Sequence, residues 1–501
     1  MLKGYFKKGS ALVYILIIMS AVMIILTSMI QFVVSQLKYS QYEASREESL
    51  QIAEAGIYFY RWYLAHEVEG KTAYQVEDFW QNQSPLGVDS PYEQDFKDPQ
   101  GGVIGRYSIE VTPPDPNSTI VVVQSTGWTI KNPNSTRTVR VRFRRPSWSE
   151  YLVLSNASVR FGDGTETFGL LHSNGGIRFD GIAHNIVSSS QETYVDPDTG
   201  ITRPGVWTAW TNEYNTNMDG DVFQAGTEFP VSEEDFTGVS ADLALMKSAA
   251  NSGINGSIYF GHSGKGQHII LKDNGTFDSR TVSQYDSFTN AIKTYASGWS
   301  THNIPNNGVI FVENNVWLEG KIDNKRVTVA AADIIGGGGA SVYIGNDIRY
   351  TNYDGSDILG IIGQNDIEII KDSENDLQID GALIAQTGRV GRDYYSGYYR
   401  SGNGGEKGWK ILGGNTYQWG NSAGWYLCLC GDLSCVDHKD SITLFGAMAT
   451  NGRYGFAYTD SCPRDSGYTD RNLVYDNNLL YYPPPYFPTS PEYSLDMWDE
   501  L

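Results

Sequence analysis

The chain has 501 residues, enough for more than one domain, and carries a formal net charge of −21. This acidic balance argues against nucleic acid or anionic lipid as a partner, because both would be repelled. Gly (54 residues) and Tyr (33) are frequent, whereas Lys and Arg together number 37. Such a composition is typical of an exported, turn-rich, mainly β protein.

The first predicted element is a long apolar helix. No formal charge occurs from Ser10 to Leu37, and Ile, Leu, Val and Met dominate this run. A bilayer core needs about 20 apolar residues in helical form, so the sequence predicts one transmembrane span over residues 11–34. The basic flank (Lys3, Lys7 and Lys8) places residue 1 in the cytoplasm and the chain beyond the span outside it.

The helical pattern continues past the apolar run. Residues 38–66 carry apolar side chains at three- and four-residue steps, and no proline interrupts the stretch from Ser10 to His66. At about 1.5 Å per residue, a helix over residues 10–66 is a rod of roughly 85 Å. Its first half would lie in the membrane, and its second half would pack on a globular domain.

Two alternative interpretations of the apolar run stay open. A cleaved secretory signal has an apolar region of about 7–15 residues and a small-x-small cleavage site, whereas this run is roughly twice as long and lacks such a site. A plain signal anchor has the observed length and charge pattern, and it competes directly with a processed helix.

The junction before the helix resembles the class III signal of type IV pilins. In that family a prepilin peptidase cuts after the glycine of a Lys-Lys-Gly sequence, which implies a leader of residues 1–9 and cleavage between Gly9 and Ser10. The chain departs from the family pattern at Tyr14, where most pilins carry a glutamate. PilX-type minor pilins often lack that carboxylate as well.

A second segment strengthens this resemblance. Residues 51–56 resemble the AEAG segment that closes the N-terminal helix of PilX-type pilins. From its charge we expect Glu54 to face solvent or pair locally, and from its small size we expect Gly56 to permit close packing on the helix. Together with Tyr14, these residues are the predicted helix-assembly positions.

Residues 67–145 are predicted to form a small β-module, which completes a pilin-like α+β unit. Three alternating runs, 107–112, 119–125 and 138–143, are separated by turns rich in proline and asparagine. In the third run Arg140 and Arg142 alternate with apolar residues. We interpret the arginines as the solvated face of a sheet whose apolar face packs on the helix, rather than as a polyanion site.

Residues 146–474 are predicted to form a parallel β-helix, or solenoid, with insertions. Short apolar strands between 308 and 455 are separated by Asn, Asp and Gly corners at near-regular intervals. The period is irregular, so a β-sandwich is the alternative. Residues 190–230 are interpreted as an irregular insertion, and a helix after Ser240 is predicted to turn three side chains inward: Leu243, Met246 and Ala250.

The large domain and the chain end also carry the resemblance. Several pieces resemble the C-terminal domains attached to PilX-type N-termini: HSNGGIRFDG (172–181), GVIFVENNVWLEG (308–320), RVTVAA (326–331), ILGIIGQNDIEI (358–369) and LQIDGALIAQTGRV (377–390), and the closing segments 475–488 and 494–500 fit as well. Residues 475–501, with three consecutive prolines, are predicted to be a Pro- and Tyr-rich tail that covers an edge of the domain. The resemblance supports assembly and implies no ligand.

The cysteines favour disulfides. All four lie in the predicted exported region: Cys428, Cys430, Cys435 and Cys462. Disulfides persist in such compartments, and four cysteines allow three connectivities, so we predict two bridges without assigning partners. A zinc site that includes His438 is the alternative, although its spacing does not match the common paired Cys-x2-Cys patterns.

Catalytic motifs are missing from the sequence, so we predict no enzymatic activity. No Gly-x-Ser-x-Gly, His-Glu-x-x-His or Walker-type sequence occurs. We interpret His172 as a hydrogen-bonded turn residue. Four tyrosines in a Gly-rich insertion are candidates for an adhesive surface: Tyr394, Tyr395, Tyr398 and Tyr399.

Calcium is the better ion candidate. Two loops bring acidic side chains close together, with Asp196 and Asp198 in the first and Asp219 and Asp221 in the second. Neither loop completes an EF-hand pattern, and turn formation explains the same residues. No other cofactor is predicted.

These features predict a minor pilin-like subunit of a type IV pilus. Its predicted partners are other pilins, the pilus assembly machinery, the inner membrane before assembly, and surface glycans or cells. It would be a single-pass protein of the cytoplasmic membrane, later displayed on an extracellular pilus, with its large domain at the tip. The alternatives are a membrane-anchored β-helix enzyme or binding protein acting on polysaccharide, and a type II secretion pseudopilin.

Overall fold

The structure is a computed structural model that describes residues 10–68, 71, 73–114, 118–211, 219–236, 239–252, 257–306, 308–395, 408–413, 416–421, 424–429, 437–458, 466–489 and 493–501. The helices in these residues are α1 (Ser10–Val68), α2 (Ala73–Asn82), α3 (Asp219–Val222) and α4 (Val239–Asn251), with short 3-10 turns at Trp148–Glu150 and Asn477–Leu480.

The strands of the first half of the chain are β1 (Tyr92–Lys97), β2 (Val103–Thr112), β3 (Ile120–Thr129), β4 (Arg137–Arg144), β5 (Val153–Ser155), β6 (Val159–Phe161), β7 (Thr165–Phe168), β8 (Leu171–Ser173), β9 (Ile177–Phe179), β10 (Ile182–Ala183), β11 (Val187–Ser189), β12 (Thr193–Val195), β13 (Thr202–Pro204), β14 (Val206–Trp207), β15 (Thr227–Glu228), β16 (Ile258–Phe260), β17 (Gly266–Leu271) and β18 (Thr276–Tyr285).

The strands of the second half are β19 (Ile292–Tyr295), β20 (Ser300–Asn303), β21 (Val309–Val312), β22 (Asn315–Ile322), β23 (Arg326–Ala331), β24 (Val342–Tyr350), β25 (Ile358–Gly363), β26 (Ile367–Ile369), β27 (Asp376–Ala385), β28 (Val390–Arg392), β29 (Gly408–Gly413), β30 (Thr416–Asn421), β31 (Gly424–Leu429), β32 (Asp437–Thr450), β33 (Ala457–Tyr458), β34 (Ser466–Tyr475) and β35 (Ser494–Glu500).

Helix α1 has two different halves. Every large apolar side chain from Leu12 to Leu37 is exposed. From Ser45 onward, one stripe at helical spacing is buried, and it includes Ile52, Ala53, Ile57, Tyr60 and Leu64. The long uninterrupted helix was predicted from the sequence and is confirmed, with its end at Val68.

The buried stripe of α1 packs on an antiparallel sheet of order β1-β2-β3-β4-β35. The three strands predicted in this region are confirmed as β2, β3 and β4. The side chains of Val139, Val141 and Phe143 are fully buried, while the arginines between them point to the other face. Strand alternation therefore produces the apolar surface that α1 covers.

The end of the chain differs from the predicted tail. Strand β35 pairs antiparallel with β4 and becomes the fifth strand of the small sheet. Its carboxylates lie opposite the β4 arginines, with Arg140 paired to Asp499 and Arg142 to Asp496. The face that we interpreted as simply solvated is thus lined with ion pairs, because an acidic strand lies beside the basic one.

The large domain contains two ladders of parallel strands. In the first, β21, β23, β25, β27 and β32 pair in that order, and in the second, β17, β22, β24, β26 and β28 do so. Successive strands from β21 to β28 therefore alternate between the ladders. Their Val, Ile and Leu side chains form the main core. The mainly β class is confirmed. The solenoid stays a prediction, and the β-sandwich alternative is compatible with these ladders.

Helix α4 lies against the first ladder and confirms the helix predicted after residue 240. Leu243, Met246 and Ala250 are buried, as expected from their spacing. Lys247 reaches the fully buried Glu313 at the end of β21, with 2.7 Å between Nζ and Oε2. Glu313 also accepts hydrogen bonds from the backbone N–H groups of Ile334 and Ile335, so one carboxylate joins α4 to a distant loop.

Candidate assembly helix and surface cleft

The exposed half of α1 is a candidate membrane anchor. The helix is long and apolar enough to cross a membrane, and its most apolar stretch is not buried in the protein. The buried stripe begins at Ser45, so 35 residues of α1 (10–44) precede it, which corresponds to roughly 53 Å of helix. That length exceeds the ~30 Å hydrocarbon core of a bilayer.

Two hydroxyl groups in this half are satisfied within the helix. Ser20 donates to the carbonyl oxygen of Ile17 at 2.8 Å, and Thr27 donates to that of Met23 at 2.7 Å. An unsatisfied polar group costs several kcal/mol in hydrocarbon. These internal bonds leave both side chains suited to contact with lipid or with another apolar helix.

The predicted assembly residues occupy different environments. Tyr14 is exposed on the apolar half, whereas Glu54 is half-buried on the half that packs on the sheet. Gly56 is buried, and a Cβ there would meet Ser125 Oγ and the ring of Tyr107. Its contact is therefore with the sheet of the same chain. A role of Gly56 in assembly with other subunits stays a prediction.

The processing site and the cysteines fall largely outside the described residues. Ser10 begins α1, whereas Gly9 lies outside them, so cleavage between the two stays a prediction. Cys428 lies on β31, and Cys430, Cys435 and Cys462 lie outside the described part of the chain. The two predicted disulfides stay a prediction for the same reason.

His172 and the tyrosine insertion are integrated into the fold. His172 lies on β8, is buried, and forms hydrogen bonds with Ser188 and Asn174, and this burial lowers its pKa. Tyr394 is 37% exposed, but Tyr395 is buried with its ring beneath the guanidinium of Arg392. Tyr395 therefore cannot form part of an adhesive surface. Tyr398 and Tyr399 lie outside the described residues.

The two loops proposed for calcium meet at one cleft. Thr199 from the first loop and Asp219 from the second both line a cleft of about 900 Å³. The carboxylate of Asp196 is buried and accepts from the Thr199 hydroxyl at 2.7 Å. Asp219 and Asp221 are exposed on α3.

The remaining calcium candidate, Asp198, is held by arginine. Both of its oxygens pair with Arg453, at 2.8 and 2.9 Å, and the hydrogen bonds from this guanidinium lower the pKa of Asp198. No group of three or more His, Cys, Asp or Glu side chains arranged to hold a metal occurs in the described part of the chain. Calcium binding by these loops stays a prediction.

A row of three side chains, Arg160, Arg178 and Trp207, reaches this cleft, which Arg178 and Trp207 line. These residues occupy matching positions on the parallel strands β6, β9 and β14. Their neighbours along the strands, such as Ile177 and Val206, are buried in the core. Alternation along short strands therefore presents two cations and an indole on the outer face.

Trp207 is fixed from three directions. Its Nε1 donates to the hydroxyl of Tyr194 at 2.9 Å, and the guanidinium groups of Arg178 and Arg203 lie 5.1 and 4.5 Å from the centre of the ring. Burial raises the pKa of Tyr194 to about 12, so this phenol stays protonated at neutral pH. Arg203 lies on β13, directly across from Tyr194 on β12.

The sequence prediction missed this arrangement. Arg203 and Trp207 fall within residues 190–230, which we interpreted as an irregular insertion, and β12, β13 and β14 have only two or three residues each. In strands of two or three residues, the alternation of apolar and polar side chains is too short to be recognised in the sequence. The available signal was the cluster of Arg and Trp in a region otherwise rich in turn residues.

Comparison with known proteins gives structural matches but no sequence match. No protein-family model matches the chain, and no curated protein matches its sequence. Among solved structures, the competence-associated pilin ComZ from Thermus thermophilus is similar over 91% of this chain and 97% of its own. The identity is 12% and the TM-score 0.30, so the match does not establish a shared fold or function.

Proposed function

We propose that this protein is a non-enzymatic, minor pilin-like structural subunit. One observation carries the proposal: a single unbroken helix, α1, has an exposed apolar half followed by a half that packs on a five-stranded antiparallel sheet. A soluble protein gains nothing from about 30 exposed residues of this character, since exposed apolar surface of that extent marks an interaction with a membrane or another protein.

In this proposal the apolar half first spans the cytoplasmic membrane with residue 1 in the cytoplasm. After processing it enters the helical core of a type IV pilus or related filament, where its partners are other pilins and the assembly machinery. The large domain, which lies in the chain between β4 and β35, is displayed outside. We place the subunit at the tip, because neighbouring subunits in a shaft would have to accommodate a domain of roughly 350 residues.

The resemblance at the N-terminal junction supplies the test. Co-expression with a prepilin peptidase is expected to yield a mature protein that begins at Ser10, shorter by nine residues, as read by N-terminal sequencing. Gly9→Ala should leave the full-length chain, whereas Gly4→Ala, within the same leader, should be processed as the parent is. A mature N-terminus unchanged by the peptidase would contradict the pilin proposal and leave a plain anchor.

A second measurement addresses assembly. Labelled protein is expected at one end of native filaments in electron micrographs, and even labelling along the shaft would contradict the tip position. Co-purification with secretion-system components rather than pilus components would favour the type II pseudopilin alternative.

A further inference from the structure

We propose that the cleft beside Trp207 binds a carboxylate-bearing saccharide, with Arg203 as the group that recognises the carboxylate. The cleft measures about 900 Å³, within the range of ~300–1,000 Å³ common to small-ligand sites. Its wall combines cationic, aromatic and hydroxyl side chains, among them Arg178, Arg203, Trp207, Thr208, Phe223 and Phe229.

The charges around the cleft leave one cation unmatched. Arg178 is paired with Asp180 at 2.8 Å, and Arg160 lies 3.4 Å from the same carboxylate. Arg203 has no ion pair within the described residues, and its Nε is buried there without a hydrogen-bond partner. A guanidinium is the side chain best suited to bind a carboxylate through two parallel hydrogen bonds.

Arg203 is also held in place before any ligand arrives. Its guanidinium lies 4.5 Å from the centre of the Trp207 ring, and the indole is fixed by its hydrogen bond to Tyr194. Fixing a long side chain in advance removes part of the conformational entropy that binding would otherwise cost. The fixed, stacked position and the lack of an ion pair within the described residues suit a guanidinium that binds an anion.

The rest of the wall fits a sugar ring better than an acidic peptide. Hydroxyl groups line the cleft at Thr199, Thr208, Thr211 and Thr227, and Asp219 can accept hydrogen bonds from ligand hydroxyls. Phe223 and Phe229 offer apolar surface to the C–H face of a ring. With one unmatched cation and a net charge of −21, the protein disfavours polyanionic ligands.

The test compares two disaccharides that differ in one carboxylate. Full-length protein in a neutral detergent is titrated with cellobiouronic acid and with cellobiose, and binding is followed by ligand-observed NMR. We expect saturable binding of cellobiouronic acid and at least about tenfold weaker binding of cellobiose, since a hydrogen bond to a charged group contributes at least this much.

Arg203→Gln should weaken binding of cellobiouronic acid by about tenfold or more, and the affinity for cellobiose should stay the same. Arg106→Gln is the matched control, because Arg106 lies on β2 of the small sheet and pairs with Asp95 at 2.6 Å. Near-UV circular dichroism reports whether Arg203→Gln disturbs Trp207. If it does, Arg203→Lys, which keeps the charge but loses the planar fork, takes its place.

Several outcomes would overturn the proposal. They are the absence of saturable binding of cellobiouronic acid, equal binding of the two disaccharides by the parent, and equal binding of cellobiouronic acid by the parent and the Arg203 variant. Tighter binding of acetyl-Gly-Glu-Gly-amide than of cellobiouronic acid would assign the cleft to an acidic peptide instead. None of these results depends on the processing at Gly9, so this proposal and the pilin proposal fail separately.

Discussion

Arg140 on β4 and Asp499 on β35 face each other across adjacent antiparallel strands, with 2.9 Å between Nη2 and Oδ2. The pair joins positions 359 residues apart and brings the end of the chain back to the module that carries α1. Since β4 precedes the large domain and β35 follows it, the large domain is an insertion between two neighbouring strands of the small sheet.

The first prediction concerns this strand pair. Double-mutant cycles with alanine at Arg142 and Asp496 should give a larger coupling energy than cycles at Arg140 and Asp499. The first pair is 26% and 17% exposed and the second 40% and 47%, so solvent screens the second more strongly. We expect about 0.2–1 kcal/mol for the exposed pair, measured by urea unfolding at low salt. Equal coupling energies would show that solvent exposure does not control the strength of these pairs.

The second prediction concerns the contact between α1 and the sheet. Gly127 on β3 is buried beneath the helix, and a Cβ there would lie inside contact distance of the Ser49 carbonyl oxygen and the Ala53 amide nitrogen. Because both are backbone atoms, Gly127→Ala must displace the helix. We expect a loss of about 1–3 kcal/mol in the free energy of unfolding, measured by denaturant titration.

Gly298→Ala is the control for this substitution, since a Cβ at Gly298 meets no atom within 4 Å. If both variants unfold at the same denaturant concentration, then α1 does not pack on β3 at the distance described.

The third prediction concerns Glu313. Its buried carboxylate accepts from Lys247 Nζ at 2.7 Å and from the N–H groups of Ile334 and Ile335 at 2.8 and 2.9 Å. Removing one partner of a buried ion pair typically costs about 3–5 kcal/mol, so Glu313→Ala should lower the free energy of unfolding by that order. Glu313→Gln should cost less, because the amide oxygen still accepts from the backbone.

The exposed Glu228 provides the control for this site, and Glu228→Ala is expected to have the same free energy of unfolding as the parent. Equal effects of Glu313→Ala and Glu313→Gln would mean that the backbone hydrogen bonds contribute little beyond the ion pair.

The fourth prediction concerns pH. Burial raises the pKa of Glu368 from 4.5 to about 8, with a further increase from nearby Asp393. A raised pKa in the folded state means that stability is fully present below pH 4.5 and is lost as pH rises through about 8. Glu368→Gln cannot ionise, so its free energy of unfolding should exceed that of the parent increasingly between pH 5 and 8, by a few kcal/mol in order of magnitude.

Urea midpoints at pH 5, 6, 7 and 8 provide the measurement. Glu93 is exposed, so the control variant Glu93→Gln should have the same urea midpoint as the parent at every pH. A constant difference between Glu368→Gln and the parent across this range would show that Glu368 ionises normally in the folded protein.

Local sequence patterns were sufficient for the elements that are defined by their own periodicity. The length of α1, the alternation in β4 and the inward positions of α4 follow from spacing within one segment, since side-chain direction repeats every 3.6 residues in a helix and every two in a strand. The same reasoning gave the mainly β class and the candidate anchor. In each case the relevant neighbours lie within a few residues along the chain.

Tertiary structure alone decided the partners of those elements. The acidic segment of β35 has no nearby signal that it belongs beside the arginines of β4. Arg203 meets Tyr194 because β13 pairs with β12, and it meets Trp207 because β14, which pairs with β9, follows β13 closely. The pairing of β4 with β35 depends on loop closure over hundreds of residues. The contacts of Arg203 join residues close in sequence, but they depend on how the short strands pack, which no local pattern encodes. The sequence by itself therefore determined the candidate anchor helix, because its length and apolar character are local properties, and the tertiary structure decided which charged side chains face a cleft.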